Sequence, residues 1–336
     1  MDKKPTAVPR EQPKSPPLLT STARESNGKR KAASAAHPKR RSPAPSRKAP
    51  QEESERVKFT HIEKMMFPQA GLTKGDVLKF YETISHRLLP HLKDRPMTLE
   101  RLPDGLTRPN APRFWQKNTP AYYPSWVPRI ELPSEAGKPV QYALVNDLNT
   151  LLYLVNQGTI TFHPFLSRVA SLDHPDFVLF DLDPGQSSFA EVVKIARTLH
   201  EVLHEQSIES YLKTSGKSGL HILTPWAEEG GYDKARHWAS GIAARVVEEL
   251  LDLATVQRSK AARGKRVYVD VIQNARGHHV VPPYVMRAVP EATVSTPLDW
   301  DELTPRLDPK KFTTAEVLKR IAEQKKDPMA PLLCPA

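Results

Sequence analysis

The chain has 336 residues, a net charge of +11 and one cysteine, Cys334, which excludes a disulfide framework and a cysteine-based metal site. No apolar run approaches the roughly 18–20 residues that a membrane span needs, and the N-terminus lacks the apolar core of a secretory signal. The length suits one large domain or two small ones, and a reducing cytoplasm is the expected location.

The basic excess is uneven. Residues 1–54 hold 13 Lys/Arg against 5 Asp/Glu, so +8 sits there and only +3 is left for residues 55–336. That stretch also carries nine prolines and almost no large apolar residues, too little apolar surface to offset the entropy of ordering, and a disordered tail is expected. Its clusters Lys29-Arg30-Lys31 and Lys39-Arg40-Arg41 either hold nucleic acid by counterion release or belong to a solubilising linker.

Beyond it, Thr73 and Asp76 make a capping-box start for a helix with the apolar stripe Val77, Leu78, Tyr81, Ile84, Leu88 and Leu89. Lys74 falls in the first turn, where a cation opposes the helix dipole. Either it is a solvated surface lysine, or the free N–H groups of that turn hold an anion beside it, with Lys64 reaching in. A strand is expected over 97–102. Arg113-Phe114-Trp115-Gln116-Lys117 then sets two aromatics between cations in a proline-rich loop, as core plugs or as a stacking platform for bases. A strand over 140–145, a helix capped by Asp147 and stopped by Gly158, and a strand over 159–164 follow. His163, at the end of that strand, is either structural or ligand-facing.

Residues 177–185 read Phe-Val-Leu-Phe-Asp-Leu-Asp-Pro-Gly, a buried strand ended by a turn. Alternation puts Asp181 and Asp183 on one face and returns Leu182 to the core. Two adjacent carboxylates repel, raising the pKa of one, and a hard divalent cation with oxygen ligands removes the conflict. The other reading is a strand end whose acids face water. Ser188 and Glu191 open a helix to about His204. Two apolar stretches within 211–224 flank the loop Ser215-Gly216-Lys217-Ser218-Gly219, which offers N–H groups, hydroxyls and a cation to phosphate oxygens without Walker A spacing. His221 emerges on the exit strand, for packing or for chemistry. A helix over 234–253 leads to the basic turn Arg263-Gly264-Lys265-Arg266. Residues 267–272 form a β-branched run with one acid, Asp270, inside it. A buried lone carboxylate needs a cation, and the Asp181/Asp183 pair wants a third ligand. Arg287 lies further on, and 313–324 reads as a capped amphipathic helix.

A strand with Asp-x-Asp, a helix, a hairpin with Ser-Gly-x-x-Gly-x-His, a long helix and a strand with Asp: this order resembles the archaeo-eukaryotic primase superfamily. The flanks narrow it. From Phe59 to about Arg306 the chain resembles the polymerase domain of bacterial DNA ligase D, which acts in non-homologous end joining. The matching text includes Met66-Phe67-Pro68 through Lys74, Pro112 to Lys117, Phe162 to Arg168, and Asp181 to Gly185. It continues with Thr214-Ser215-Gly216, Gly219-Leu220-His221, Asp270 with Gln273-Asn274, and Val294 to Leu298. The resemblance implies an α+β fold with a primase-type catalytic core, mixed and antiparallel sheets flanked by helices. The chain then divides into a disordered tail (1–54), a catalytic domain (55–306), and a C-terminal helix and tail (307–336).

The resemblance further implies that Asp181, Asp183 and Asp270 are the catalytic, metal-binding carboxylates, holding two divalent ions, Mn²⁺ preferred or Mg²⁺. Ser215, Gly216, Lys217, Ser218, Gly219, His221 and Arg287 would hold an incoming NTP or dNTP, with His163 by the sugar and Gln273 in the same site. Phe114 and Trp115 fall where an aromatic pair stacks on the template side, and Arg263 where a loop residue contacts template. Lys64, Lys74 and His61 surround the place of a downstream 5′-phosphate. The chain departs from the family pattern in three places. Ser218 stands where many relatives carry lysine, Glu100-Arg101 where Lys-Arg is common, and His61 where Asn or another residue stands.

The expected function is therefore template-directed filling of gaps and extension of ends at DNA double-strand breaks. The expected chemistry is two-metal nucleotidyl transfer with a ribonucleotide preference. Expected partners are gapped or broken DNA with a 5′-phosphate and, by analogy, Ku and a separate ATP-dependent ligase, with no membrane. The rivals are a primase that starts chains de novo and a non-catalytic DNA-end bridging module. With no nucleotidyl-lysine ligase or phosphoesterase segment in the sequence, a stand-alone polymerase or a detached end of something longer is expected, at the bacterial nucleoid.

Overall fold

The structure, a computed structural model, describes residues 57–134, 137–227 and 229–333. The expected disordered tail over 1–54 and Cys334 lie outside the described residues. Strands β1 (Met65–Phe67) and β2 (Leu72–Thr73) form a small hairpin ahead of helix α1 (Lys74–Leu92). The Thr73–Asp76 capping box is present in both directions, which is why α1 starts where the sequence says. β3 (Met97–Arg101), β4 (Phe114–Gln116), β5 (Arg129–Leu132) and β6 (Val140–Ala143) belong to a five-stranded sheet. Helix α2 (Leu148–Asn156), capped by Asp147, leads into β7 (Thr159–Pro164), which pairs with β3 and completes that sheet.

The second sheet carries the Asp-x-Asp strand. It is built from β8 (Phe177–Asp183), β9 (Tyr211–Thr214), β10 (Leu220–Pro225), β11 (Ala254–Thr255), β12 (Val267–Asp270) and β13 (Pro297–Leu298). Their spatial order is β11-β12-β8-β10-β9-β13, antiparallel except for the parallel β11–β12 pair. Helices α3 (Phe189–His204) and α4 (Gly231–Glu249) pack on each other and on β8. The short α5 (Lys260–Arg263) precedes β12, and α6 (Thr314–Glu323) follows the sheet. Phe180, Leu182, Ile222 and Val269 from the sheet share one core with Val192, Ile195 and Leu199 of α3. Burying each such side chain is worth roughly 1.5–3 kcal/mol, so β8 is held rigidly at the centre. Phe312 and Val317 join the same core, so the stretch from residue 307 packs onto the body. Among the described residues no helix is long and apolar enough to cross a membrane.

Three expectations are corrected. The aromatics at 114–115 lie not in a loop but in β4, paired with β3 at the sheet edge. The long helix runs from Gly231 to Glu249 rather than over 234–253. Leu250 and Leu253 owe their apolar character to packing the turn beyond the helix onto the core. Asp270 is not inside its strand but ends it, because its Oδ1 accepts the N–H of Ile272 at 2.8 Å and so closes a turn.

Candidate active site

Strand register sets the polar residues in one row. Asp181 of β8 lies opposite His221 of β10 on one side and opposite Asp270 of β12 on the other. His221 lies opposite Lys213 of β9. Opposed residues on neighbouring strands share a face, and Asp183, two residues along β8, shares it too. Leu182 between the two acids is fully buried. A cleft of about 240 Å³ opens on this face, lined by Asp181, Asp183, Asp270, His221, Arg263 and Arg287. The loop between β9 and β10 adds Ser215, Lys217, Ser218 and Gly219 to its wall.

That loop is built to approach closely. Ser215 Oγ accepts the N–H groups of Lys217 (3.2 Å) and Gly219 (3.1 Å), which leaves its own O–H to donate. A Cβ on Gly219 would collide with the Leu182 carbonyl oxygen. Gly216, at φ +73°, does not line the cleft but backs onto Arg287, where a Cβ would come within 2.6 Å of Arg287 Cγ. The space it leaves lets Arg287 donate from Nη1 to the Ser215 carbonyl at 2.7 Å. Arg287 Nε is buried without a hydrogen-bond partner among the described residues.

The electrostatics follow from burial. Burial, then Asp270 and Asp183, push the Asp181 carboxyl up to about 7. Burial, against the pull of Asp181, lowers Arg287 to about 10, so it stays a cation at neutral pH. Burial, then Arg287 and Arg113, bring Lys217 down to about 8. Burial, then Lys213 and Arg287, hold His221 well below the ordinary imidazole range.

Among the described residues no group of three His, Cys, Asp or Glu side chains is preset to hold a metal ion. Two of the acids are turned to protein partners instead. Asp183 accepts from Gly185 N–H at 3.1 Å and pairs with Arg263 at 3.2 Å, whose guanidinium lies 3.7 Å over the Tyr268 ring. Asp270 accepts from Ile272 N–H and from Gln273 Nε2 at 3.4 Å. The donor chemistry nonetheless fits a hard divalent cation: three carboxylates, the central one raised first by burial and then by the other two, a conflict that a cation would relieve.

The other candidates lie around this cleft. Gln273 is not among the residues lining it, and its amide sits on Asp270. His163 is buried, with Nε2 3.7 Å from Glu100 Oε2 and its ring 4.7 Å from Trp115. Phe114 and Trp115 are half exposed, at 52% and 53%. Glu100, where the family commonly has a cation, is fully buried and paired with Arg113. A second cleft of about 760 Å³ shares Lys217 and Ser218 with the first and continues past Arg113 and Arg108 to Gln69.

At the start of α1, Lys74 is neither solvated nor beside free amides. It is only 7% exposed and donates to the Thr60 carbonyl at 2.6 Å. The first helical N–H groups are taken by the carbonyls of Lys64 (2.7 Å) and Ile62 (2.8 Å), which corrects the expectation of an anion held by free backbone amides. What remains there is positive charge: Lys74, Lys64 (paired with Asp104 at 2.7 Å) and His61, whose backbone is left-handed at φ 53°.

Two residues of this neighbourhood escaped the sequence reading. Lys213 is wholly buried, with Nζ 2.7 Å from His221 Nδ1 and 2.8 Å from Ser295 Oγ. Its signal was the hairpin itself, since a five-residue loop over 215–219 puts 213 opposite 221. His279 lies 5.1 Å from His163 and stacks near Trp115 at 6.1 Å. No local pattern marks it, because an isolated bridge to Phe165 brings it there.

Residues 73–329 match the family model described as LigD, primase-polymerase domain. Over 285 residues the chain is 30% identical to the multifunctional non-homologous end joining protein LigD of Mycolicibacterium smegmatis, covering 84% of this chain and 36% of that protein. Over 271 residues it is 32% identical to the bifunctional non-homologous end joining protein LigD of Bacillus subtilis, covering 80% of this chain and 43% of the relative. The chain thus spans about two fifths of the length of these relatives. Among solved structures, the polymerase domain of Mycobacterium tuberculosis ligase D in complex with DNA superposes with a TM-score of 0.77 at 29% identity, covering 83% of this chain and 98% of that one. Family model, relatives and architecture agree with the resemblance seen in the motifs, and the chain belongs to the LigD primase-polymerase domain family.

Proposed function

We propose that this chain is a template-directed nucleotidyltransferase that adds nucleotides, ribonucleotides by preference, to a 3′-hydroxyl at gaps and broken DNA ends. The observation that carries the reading is the cleft itself, where three carboxylates on paired strands face a glycine-containing loop, a histidine and a buried arginine. Asp181, Asp183 and Asp270 are the residues to hold two divalent cations, Mn²⁺ or Mg²⁺. When bound, such ions lower the pKa of the attacking hydroxyl and neutralise the leaving pyrophosphate. Arg287, whose buried Nε has no hydrogen-bond partner among the described residues, joins Ser215 and the loop amides in binding the triphosphate and stabilising charge that grows on phosphate oxygens. Lys217 adds a cation whose lowered pKa keeps it responsive to that charge.

Outside the cleft, the half-exposed Phe114 and Trp115 offer stacking faces for template bases. Arg263 leaves Asp183 for template, and Lys64, Lys74 and His61 take a downstream 5′-phosphate. The complex of the M. tuberculosis polymerase domain with DNA supports a DNA partner, and the names of the relatives support a place in end joining; Ku and a separate ligase are proposed as partners there by analogy alone. A gap-filling assay comparing NTPs with dNTPs, and 5′-phosphate with 5′-hydroxyl gaps, tests the reading. Asp183→Ala is expected to lower nucleotide addition by roughly a hundredfold or more while leaving gapped-DNA binding nearly intact. Retained extension in Mn²⁺ would refute the metal assignment.

A further inference from the structure

The space for anions does not end at the loop between β9 and β10. Lys217 and Ser218 are a wall common to the catalytic cleft and to the larger second cleft of about 760 Å³. Four cations line that second cleft, Lys217, Arg113, Arg108 and Lys310, against one acid, Glu291. Arg113 is anchored: its guanidinium pairs with the fully buried Glu100, while 39% of the arginine side chain stays open to solvent. Arg108 and Lys310 are held loosely. Lys310 lies 3.9 Å from Glu291 and Arg108 lies 3.9 Å from Asp104, both beyond hydrogen-bond length. Asp104 is already engaged by Lys64 at 2.7 Å. The excess of positive charge survives when Glu100, Asp104 and Lys64 behind the wall are counted. Arg113 also lies near enough to Lys217 and Arg287 for their charges to repel, a conflict that an anion seated between them would relieve. Among the described residues no aromatic ring lines this cleft, so it offers phosphates a charged wall and bases no stacking face.

We propose that the second cleft is a binding site for inorganic pyrophosphate, which leaves the catalytic cleft past Lys217 and Ser218 and is held by Arg113, Arg108 and Lys310. In nucleotidyl transfer the 3′-hydroxyl oxygen bonds to the α-phosphorus, and the bond from that phosphorus to the α–β bridging oxygen breaks. Pyrophosphate keeps that oxygen and the electron pair, and the hydroxyl proton goes to solvent. The wall shared by the two clefts belongs to the loop assigned to the triphosphate, so the leaving group departs where the second cleft opens. That pyrophosphate arrives there as a product rests on the nucleotidyl-transfer reading; a site for a small polyphosphate does not.

Calorimetric titration of the full chain with inorganic pyrophosphate, without DNA or added divalent ions, tests the site directly. One pyrophosphate is expected per chain, and Arg113→Gln is expected to weaken it roughly tenfold or more. Arg108→Gln combined with Lys310→Gln alters two exposed side chains and is expected to weaken it roughly threefold or more. No binding to the unaltered chain, or binding that these changes leave as it was, overturns the site. If Arg113→Gln fails to fold, the surface double variant still decides. A parallel titration with gapped DNA separates the two sources of phosphate: an equal or larger loss of DNA affinity in the double variant assigns these cations to the DNA backbone and overturns the choice of ligand. The expected pyrophosphate binding in a chain that adds no nucleotide supports the site and overturns the proposed activity.

Discussion

Lys74 has its ammonium on the Thr60 carbonyl and its charge beside that of Lys64, and burial and Lys64 together push its pKa down. Lys64 is paired with Asp104, whereas Lys74 hydrogen-bonds only to Thr60 among the described residues, so the corner has a surplus of positive charge that suits a phosphate dianion. Lys74→Ala is expected to lose the preference for a 5′-phosphorylated gap over a 5′-hydroxyl one, measured as the ratio of extension rates. Equal loss on both substrates would show that Lys74 only supports the turn. Position in the first helical turn was legible from Thr73 and Asp76. Burial was not, because it depends on the loop carrying Thr60 folding back over the helix start. Lys213 shows the same limit: a lysine in a strand reads as solvent-facing until the partner strand places His221 and Ser295 around it.

The β9–β10 hairpin concentrates the backbone demands of the site. Gly219 runs so close to β8 that a side chain would meet the Leu182 carbonyl oxygen, a backbone atom that cannot rotate away. Gly219→Ala is therefore expected to cost about 1–3 kcal/mol of stability, seen as a lower Tm, and to raise the KM for nucleotide as β10 is pushed from β8. An unchanged Tm would mean that the hairpin shifts freely and that the close approach has no mechanical role. Helix α3 and its capping box, β8 and the hairpin were all legible, since alternation, caps and turn residues are local signals. Strand β4 was read as loop because a three-residue edge strand flanked by prolines has no periodicity of its own. The end of β12 was misread because the turn-closing acceptor is the site residue Asp270 itself.

For the whole molecule, the cleft sets a stability balance against pH. With Asp181 raised to about 7 from 3.8, the folded chain keeps a proton that the unfolded chain has released between those values. Its contribution to stability is complete below about pH 4 and lost as pH rises through 7. Asp181→Asn is expected to raise the Tm of the metal-free protein by a few degrees at pH 8 and to leave it nearly unchanged at pH 4. The gain stays modest because 31% of the side chain still meets solvent. Added Mn²⁺ is expected to raise the Tm of the unaltered chain and not that of the variant; identical Mn²⁺ responses would remove Asp181 from the metal site. By itself the amino-acid sequence determined helices α1, α2 and α3 with their caps, strands β3, β6, β7 and β8, the β9–β10 hairpin, the paired acids on β8 and the membership of a family, because each is written in neighbouring residues or in motif order. Tertiary structure alone decided that Asp270, some ninety residues away, stands opposite Asp181, that Lys213 is sealed behind His221, and that the amides of α1 are already taken. Those outcomes depend on strand register and loop return, set by packing between segments that carry no trace of one another in their local sequence.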